Sequence, residues 1–165
     1  MDIDLGTYPY VTSSSTSIGG LSTGLGFSPR KVETIIGVVK AYTTRVGEGP
    51  FPTELKNEIG EMLRKRGHEF GTTTNRPRRC GWLDLNLVRY TAMINGYDSI
   101  NITKLDILDT LPEIKIGVDY RIDGRKLYSL PSSLDDLAKV EITYVTMKGW
   151  QKDTSNVRKK EELPK

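Results

Sequence analysis

Short β-branched runs alternate with segments of helical apolar spacing along the first two-thirds of the chain, and that alternation restricts the fold to the α/β class. Ser28-Pro29 reads as an N-cap and first helical position, and Val32, Ile35, Ile36 and Val39 follow at i, i+3, i+4 and i+7, which predicts a helix. Ala41 to Val46 reads as a strand, stopped by the Gly/Pro-rich segment 47–52. Thr53 is the expected cap of a second helix with Leu55, Ile59, Met62 and Leu63 inside, closed by Arg64-Lys65-Arg66 and Gly67. Residues 67–81 read as a polar loop. Asp84 caps a third helix carrying Leu85, Val88 and Ala92 and ending at Asn95-Gly96, and Ser99 to Thr103 is a strand.

The last third changes character. Ile114 to Ile122 and Arg125 to Leu130 are two strand-like runs around Asp123-Gly124, a hairpin signal; a short helix at 133–138 and a strand at 140–145 follow. The expected fold is therefore part of a mixed, mostly parallel sheet with flanking helices plus an antiparallel hairpin region. Residues 1–165 are expected to form a single domain. The Ser/Thr/Gly run 13–27 predicts a loop after a strand-like stretch at 6–12, and 151–165, rich in charge, predicts a solvated tail.

The net charge of +3 is too mild for a dedicated nucleic-acid binder, but the excess is concentrated. Residues 64–79 hold six Lys/Arg against Glu69 alone, while the remainder is slightly acidic. One cysteine, Cys80, and one histidine, His68, exclude an internal disulfide and a Cys/His zinc cluster. Such usage fits the cytoplasm. No apolar run approaches a membrane span, and no basic-then-apolar leader opens the chain. Neither nucleic acid nor membrane is expected as a partner.

Three segments carry candidate chemistry. Gly71-Thr-Thr-Thr-Asn-Arg-Pro-Arg-Arg79 sets hydroxyls beside guanidiniums, which suits an anionic small molecule; an ordinary solvated basic loop has the same composition. Lys104-Leu105-Asp106 ends a strand, where α/β sheets bind ligands. An Asp there accepts from the N1–H and amine of guanine, which adenine lacks, with a lysine stem over the base; an exposed strand end is the plainer alternative. Thr12 to Ser17 either holds a phosphate through hydroxyls and turn amides or is a polar linker. His68 carries no expected role, Trp82, Trp150 and Tyr90 are expected in the core, and Cys80 is either an activated thiol beside arginines or, the safer reading, a structural one. The chain contains no G-x-x-x-x-G-K-[ST] phosphate loop.

Taken together, blocks in register along nearly the whole chain resemble the adenylosuccinate synthase family: Asp2 to Ser14, Lys40 to Gly47, Gly49 to Leu55, Gly71 to Asp84 and Thr103 to Asp109. The resemblance implies that residues 1–165 are a single partial domain with an incomplete adenylosuccinate synthase fold, P-loop NTPase-like. It implies a ligase of purine biosynthesis that joins IMP to L-aspartate with GTP and Mg2+, through 6-phosphoryl-IMP, as the first committed step toward AMP, in a homodimer. By position, Thr12 resembles the threonine that holds the IMP 5′-phosphate and Val46 the residue whose backbone meets the ribose. Thr72, Thr73, Thr74, Asn75 and Arg76 match the loop that closes on aspartate, with Arg76 also touching IMP. Arg78 serves aspartate and the GTP phosphates, and Lys104, Leu105 and Asp106 the guanine.

Asn75 stands where the family usually has Gly, and Pro77 where some members are basic. The resemblance places the Gly-rich loop, the catalytic Asp and His, and the magnesium ligands upstream of Met1, so the isolated chain is expected to be inactive. Two other readings remain: a non-catalytic guanine-nucleotide or IMP-binding module, and an anion- or RNA-binding domain. All of the ligand readings require the threonine–arginine segment and the Lys104–Asp106 strand tip to converge on one side of a single sheet.

Overall fold

A computed structural model of the chain describes residues 1–164. In chain order its elements are α1 (Ile18–Leu25), β1 (Ile36–Lys40), β2 (Tyr42–Arg45), α2 (Glu58–Arg66), β3 (Arg79–Asp84), α3 (Leu85–Asn95), β4 (Ser99–Thr103), β5 (Glu113–Ile122), β6 (Arg125–Leu127), α4 (Leu134–Ala138) and β7 (Glu141–Lys148). Short 3-10 turns lie at Pro29–Lys31, Leu105–Leu108 and Lys160–Glu162. The class is mixed α/β, as the alternation predicts.

The chain changes sheets at Ala41. Before it, β1 pairs with β4 in parallel, Val39 opposite Ile102. After it, β2 pairs antiparallel with β3, Thr43 opposite Gly81. β3 in turn runs parallel to β5, which pairs antiparallel with both β6 and β7. The second sheet thus has five strands and the first has two. Gly81 sits where β3 is crossed closely by the chain before α2: a Cβ there would lie 2.3 Å from the Thr53 carbonyl oxygen, so only glycine fits.

The main core lies between the five-stranded sheet, α2 and the turn at 105–108. Tyr42, Leu63, Cys80, Trp82, Leu108, Leu111 and Ile114 are buried there, with Leu55, Ile59 and Met62 of the α2 region packed against them. Trp150 joins the same cluster while partly exposed, and Trp82 is buried in it.

Local signals with local partners give the expected elements. Asp84 caps α3, accepting from Asn86 N and Leu87 N at 3.0 and 3.3 Å, and Gly96 ends it in the left-handed conformation. Asp123 and Gly124, at φ 49° and 76°, turn β5 into β6.

Four expectations are corrected. The apolar spacing at 32–39 belongs to no helix: Ile36–Lys40 is a strand, because its β-branched residues favour extended backbone and β4 supplies the pairing. Ser28 caps only the turn at Pro29–Lys31. The Ser/Thr/Gly run contains helix α1, whose first amide, Ile18 N, donates to Asn95 Oδ1 at 2.8 Å. Ile18, Leu21 and Leu25 supply its apolar spacing between the glycines. α2 begins at Glu58 behind Asn57, which accepts from Gly60 N, and not behind Thr53. Thr53 is fully buried and its carbonyl accepts from Trp82 N, because residues 53–55 run along β3. The polar loop is also shorter than expected, since β3 starts at Arg79.

No helix among the described residues is long and apolar enough to cross a membrane.

Candidate functional site

Glu69 is the centre of the polar structure. Just after α2 ends at Gly67, His68 takes φ 51° and turns the chain inward. The Glu69 side chain is 0% exposed. Its Oε1 accepts from Tyr42 OH at 2.6 Å and from Lys40 Nζ and Lys104 Nζ at 3.0 Å each, and its Oε2 accepts from Arg78 NH1 at 2.9 Å. Burial alone would raise this carboxyl, but the bonds from Tyr42, Lys40, Lys104 and Arg78 together outweigh it and hold the pKa at about 2. The same contact and burial push the Tyr42 hydroxyl far up, so it stays a donor.

Lys104 follows β4 in the left-handed conformation, φ 60°, and opens the turn that carries Leu105 and Asp106. Its ammonium also donates to Gly67 O at 2.6 Å, while Arg66 NH2 donates to Asp106 O at 3.0 Å. The C-terminal end of α2 therefore fixes both members of the expected guanine pair. Lys104, Leu105 and Asp106 line a depression of about 600 Å³ together with Thr154, Ser155 and Arg158. In the segment expected to be a solvated tail, Thr154 is buried: its N and Oγ1 each donate to Asp109 at 2.8 Å, next to Trp150 Nε1 at 2.6 Å.

A second, larger cleft of about 950 Å³ opens beside β2. Thr12 and Val46 both line it, with Arg45, Asp84, Tyr90 and Tyr120. Thr12 is exposed, and Val46 is 65% exposed. Arg45 is steadied by Thr7 Oγ1 at 3.0 Å and Glu48 O at 2.9 Å. Tyr90 spans the rim, donating from its hydroxyl to Leu5 O at 3.2 Å. Asp84 is buried at the floor and accepts from the Tyr120 hydroxyl; burial raises its carboxyl above the usual range despite that bond and the α3 amides.

The segment 71–76 is a small closed loop. Phe70 bridges Pro77, Gly71 N donates to Arg76 O and Asn75 N to Gly71 O, both at 2.8 Å. Asn75 takes φ 51°, a left-handed conformation that Asn tolerates better than most side-chain-bearing residues. Thr72, Thr73, Thr74, Asn75 and Arg76 are all exposed.

The three arginines have different surroundings. Arg76 is exposed on the loop. Arg78 holds Glu69 and leaves its buried Nε without an acceptor among the described residues. Arg79 is a strut: Nε and NH2 grip the Glu54 carboxylate at 2.7 Å each, and NH1 donates to Gly49 O at 2.8 Å.

Arg78 and Lys104 thus meet on one carboxylate, and Thr12 and Val46 share one cleft, while the loop 72–76 stands away in solvent. The expectation of a single sheet is corrected. Arg78 leads into the five-stranded sheet and Lys104 follows the two-stranded one, and they converge across the division at Ala41. Cys80 is buried, and burial pushes its thiol up to about 11, so it is structural. Neither Glu69 nor Asp84 was singled out as a functional candidate by the residue patterns. Glu69 did leave a signal, as the lone acid in the basic stretch 64–79.

Among the described residues no three His, Cys, Asp or Glu side chains group as a metal ion would require. The magnesium implied by the resemblance therefore has no fitting ligand set among the described residues.

This arrangement of two sheets and their helices has a counterpart among solved structures. The fully ligated adenylosuccinate synthetase from Plasmodium falciparum matches 99% of this chain and 39% of its own, at a TM-score of 0.96 and 48% sequence identity. The adenylosuccinate synthetase family profile matches residues 1–165. The adenylosuccinate synthetases of Paramecium tetraurelia and Kluyveromyces lactis are 62% and 63% identical over 164 residues, 99% of this chain. The chain belongs to the adenylosuccinate synthetase family, a family of ligases of purine biosynthesis. It spans 38% of the length of those two relatives.

Proposed function

We propose that this chain supplies substrate-binding residues for the GTP-dependent ligation of IMP and L-aspartate to adenylosuccinate. In this reading Asp106 accepts from the guanine N1–H and amine, the Lys104 stem covers the base, and Leu105 completes the contact. Arg78 serves the aspartate carboxylate and the GTP phosphates. The loop Thr72, Thr73, Thr74, Asn75, Arg76 folds over aspartate, with Arg76 reaching IMP as well, and closure orients the amine nucleophile and excludes water. Thr12 holds the IMP 5′-phosphate, and the Val46 backbone meets the ribose. A homodimer in the cytoplasm is the proposed setting.

The observation that carries this reading is the meeting of Arg78 and Lys104 on Glu69, which brings a phosphate-seeking guanidinium beside a base-reading pair. The position of Thr12 and Val46 in a shared cleft supports the IMP half. The chain's share of its relatives' length supports the further proposal that these residues alone do not turn over substrate.

Isothermal titration with GDP, ADP and IMP tests it. GDP and IMP should bind and ADP should bind far more weakly than GDP, with the GDP preference lost in Asp106→Ala and no adenylosuccinate formed by the chain alone. Salt-sensitive binding of RNA of any sequence, lost on replacing Arg76 and Arg78, would favour an anion-binding domain instead.

A further inference from the structure

Two side chains that the proposed reading gives to different ligand groups are held by one carboxylate that it gives to none. Glu69 Oε1 takes the Lys104 ammonium and Oε2 takes Arg78 NH1, and no part of the Glu69 side chain is exposed. Such a group cannot itself meet solvent or a diffusing ligand. Its influence runs through its partners.

Lys104 depends on that grip. A side-chain-bearing residue keeps a left-handed backbone only when its surroundings over-determine it. Here the ammonium is tied to Gly67 O and Glu69 Oε1, and the tie closes the turn that places Asp106. Arg78 is held more loosely: NH1 is bonded, while the buried Nε has no acceptor among the described residues. A guanidinium short of partners gains by turning to an anion. Lys40 also bonds Oε1, so three cations face one carboxylate and the cluster stays net positive.

We propose that Glu69 is a positioning residue for nucleotide selection: by holding Lys104 and Arg78 at once, it fixes the lysine beside the base-reading Asp106 and presents the arginine to an anion. The proposal rests on the guanine reading of Lys104 and Asp106. A neutral amide of the same shape cannot substitute. Its NH2 group would face the donors of either Arg78 or Lys104, and that partner would lose its bond to this side chain.

The test is the ratio of GDP to ADP affinity, measured by isothermal titration on the 165-residue chain. Wild type, Glu69→Gln and Glu69→Asp are compared, each first checked for a cooperative thermal melt. The ratio should fall about tenfold in Glu69→Gln and by a smaller factor, about threefold, in Glu69→Asp, which keeps the charge but shortens the reach. A purely structural role would weaken both nucleotides equally, so an unchanged ratio in a folded variant overturns the proposal. If Glu69→Gln fails to fold, Glu69→Asp decides alone. Equal GDP and ADP affinity in wild type overturns the guanine reading and the proposal together, whereas an intact wild-type preference that survives both substitutions overturns the proposal only.

Discussion

Glu69 and Asp84 are both buried carboxylates, yet their surroundings drive them in opposite directions. Glu69, beside Lys104, is ringed by three cations and a phenol, and its carboxyl is held at about 2. Asp84, on the floor of the cleft lined by Thr12 and Val46, meets a tyrosine hydroxyl and two backbone amides, and burial prevails to raise it. Neutral donors soften the desolvation of a carboxylate; adjacent cations reverse it. One end of the molecule therefore depends on charge and the other on capping and packing.

The sharpest way to break the contrast is Glu69→Ala, which leaves Lys40, Lys104 and Arg78 facing one another with side chains only partly exposed. Urea unfolding should show a loss of roughly 3 to 4 kcal/mol.

The next effect is in pH. Glu69 has a folded pKa below its reference value of 4.5, so its contribution is complete above that pH and is lost as pH falls toward about 2. The loss amounts to about 3 kcal/mol at most. Asp84 has the opposite sign: its carboxyl is raised from 3.8, so the folded state holds the proton more tightly and stability declines as pH rises through the raised value. Stability measured against pH should lose its steep acid limb in Glu69→Gln and should instead steepen there in Asp84→Asn.

A smaller change, Tyr120→Phe, removes one neutral donor from Asp84 and leaves the two α3 amides in place. It should cost about 1 to 2 kcal/mol by thermal melt, well short of the loss at Glu69.

Much of the site was legible in the sequence because its residues lie in short ordered blocks. Lys104 and Asp106 were recognisable at the end of a strand, and that strand is there. Arg78 stood out among hydroxyls and arginines. What joins them was not legible: Glu69 lies 35 residues from Lys104 and 29 from Lys40, and nothing in their spacing couples them. Arg79, equally prominent in the motif, is a strut to Glu54. The helical spacing at 32–39 misled because period alone does not record which strand lies alongside.

By itself the sequence determined the pieces whose partners lie within a turn or two: the Asp84 cap of α3, the apolar face and Gly67 stop of α2, and the Asp123-Gly124 hairpin. Tertiary structure decided that Ile36–Lys40 is a strand, that Thr53 is buried along β3, and that two sheets divide at Ala41 so that Arg78 and Lys104 meet on Glu69. Caps and turns act over a few residues of backbone, whereas strand pairing and a buried ion cluster draw their energy from groups that only the folded chain brings within reach.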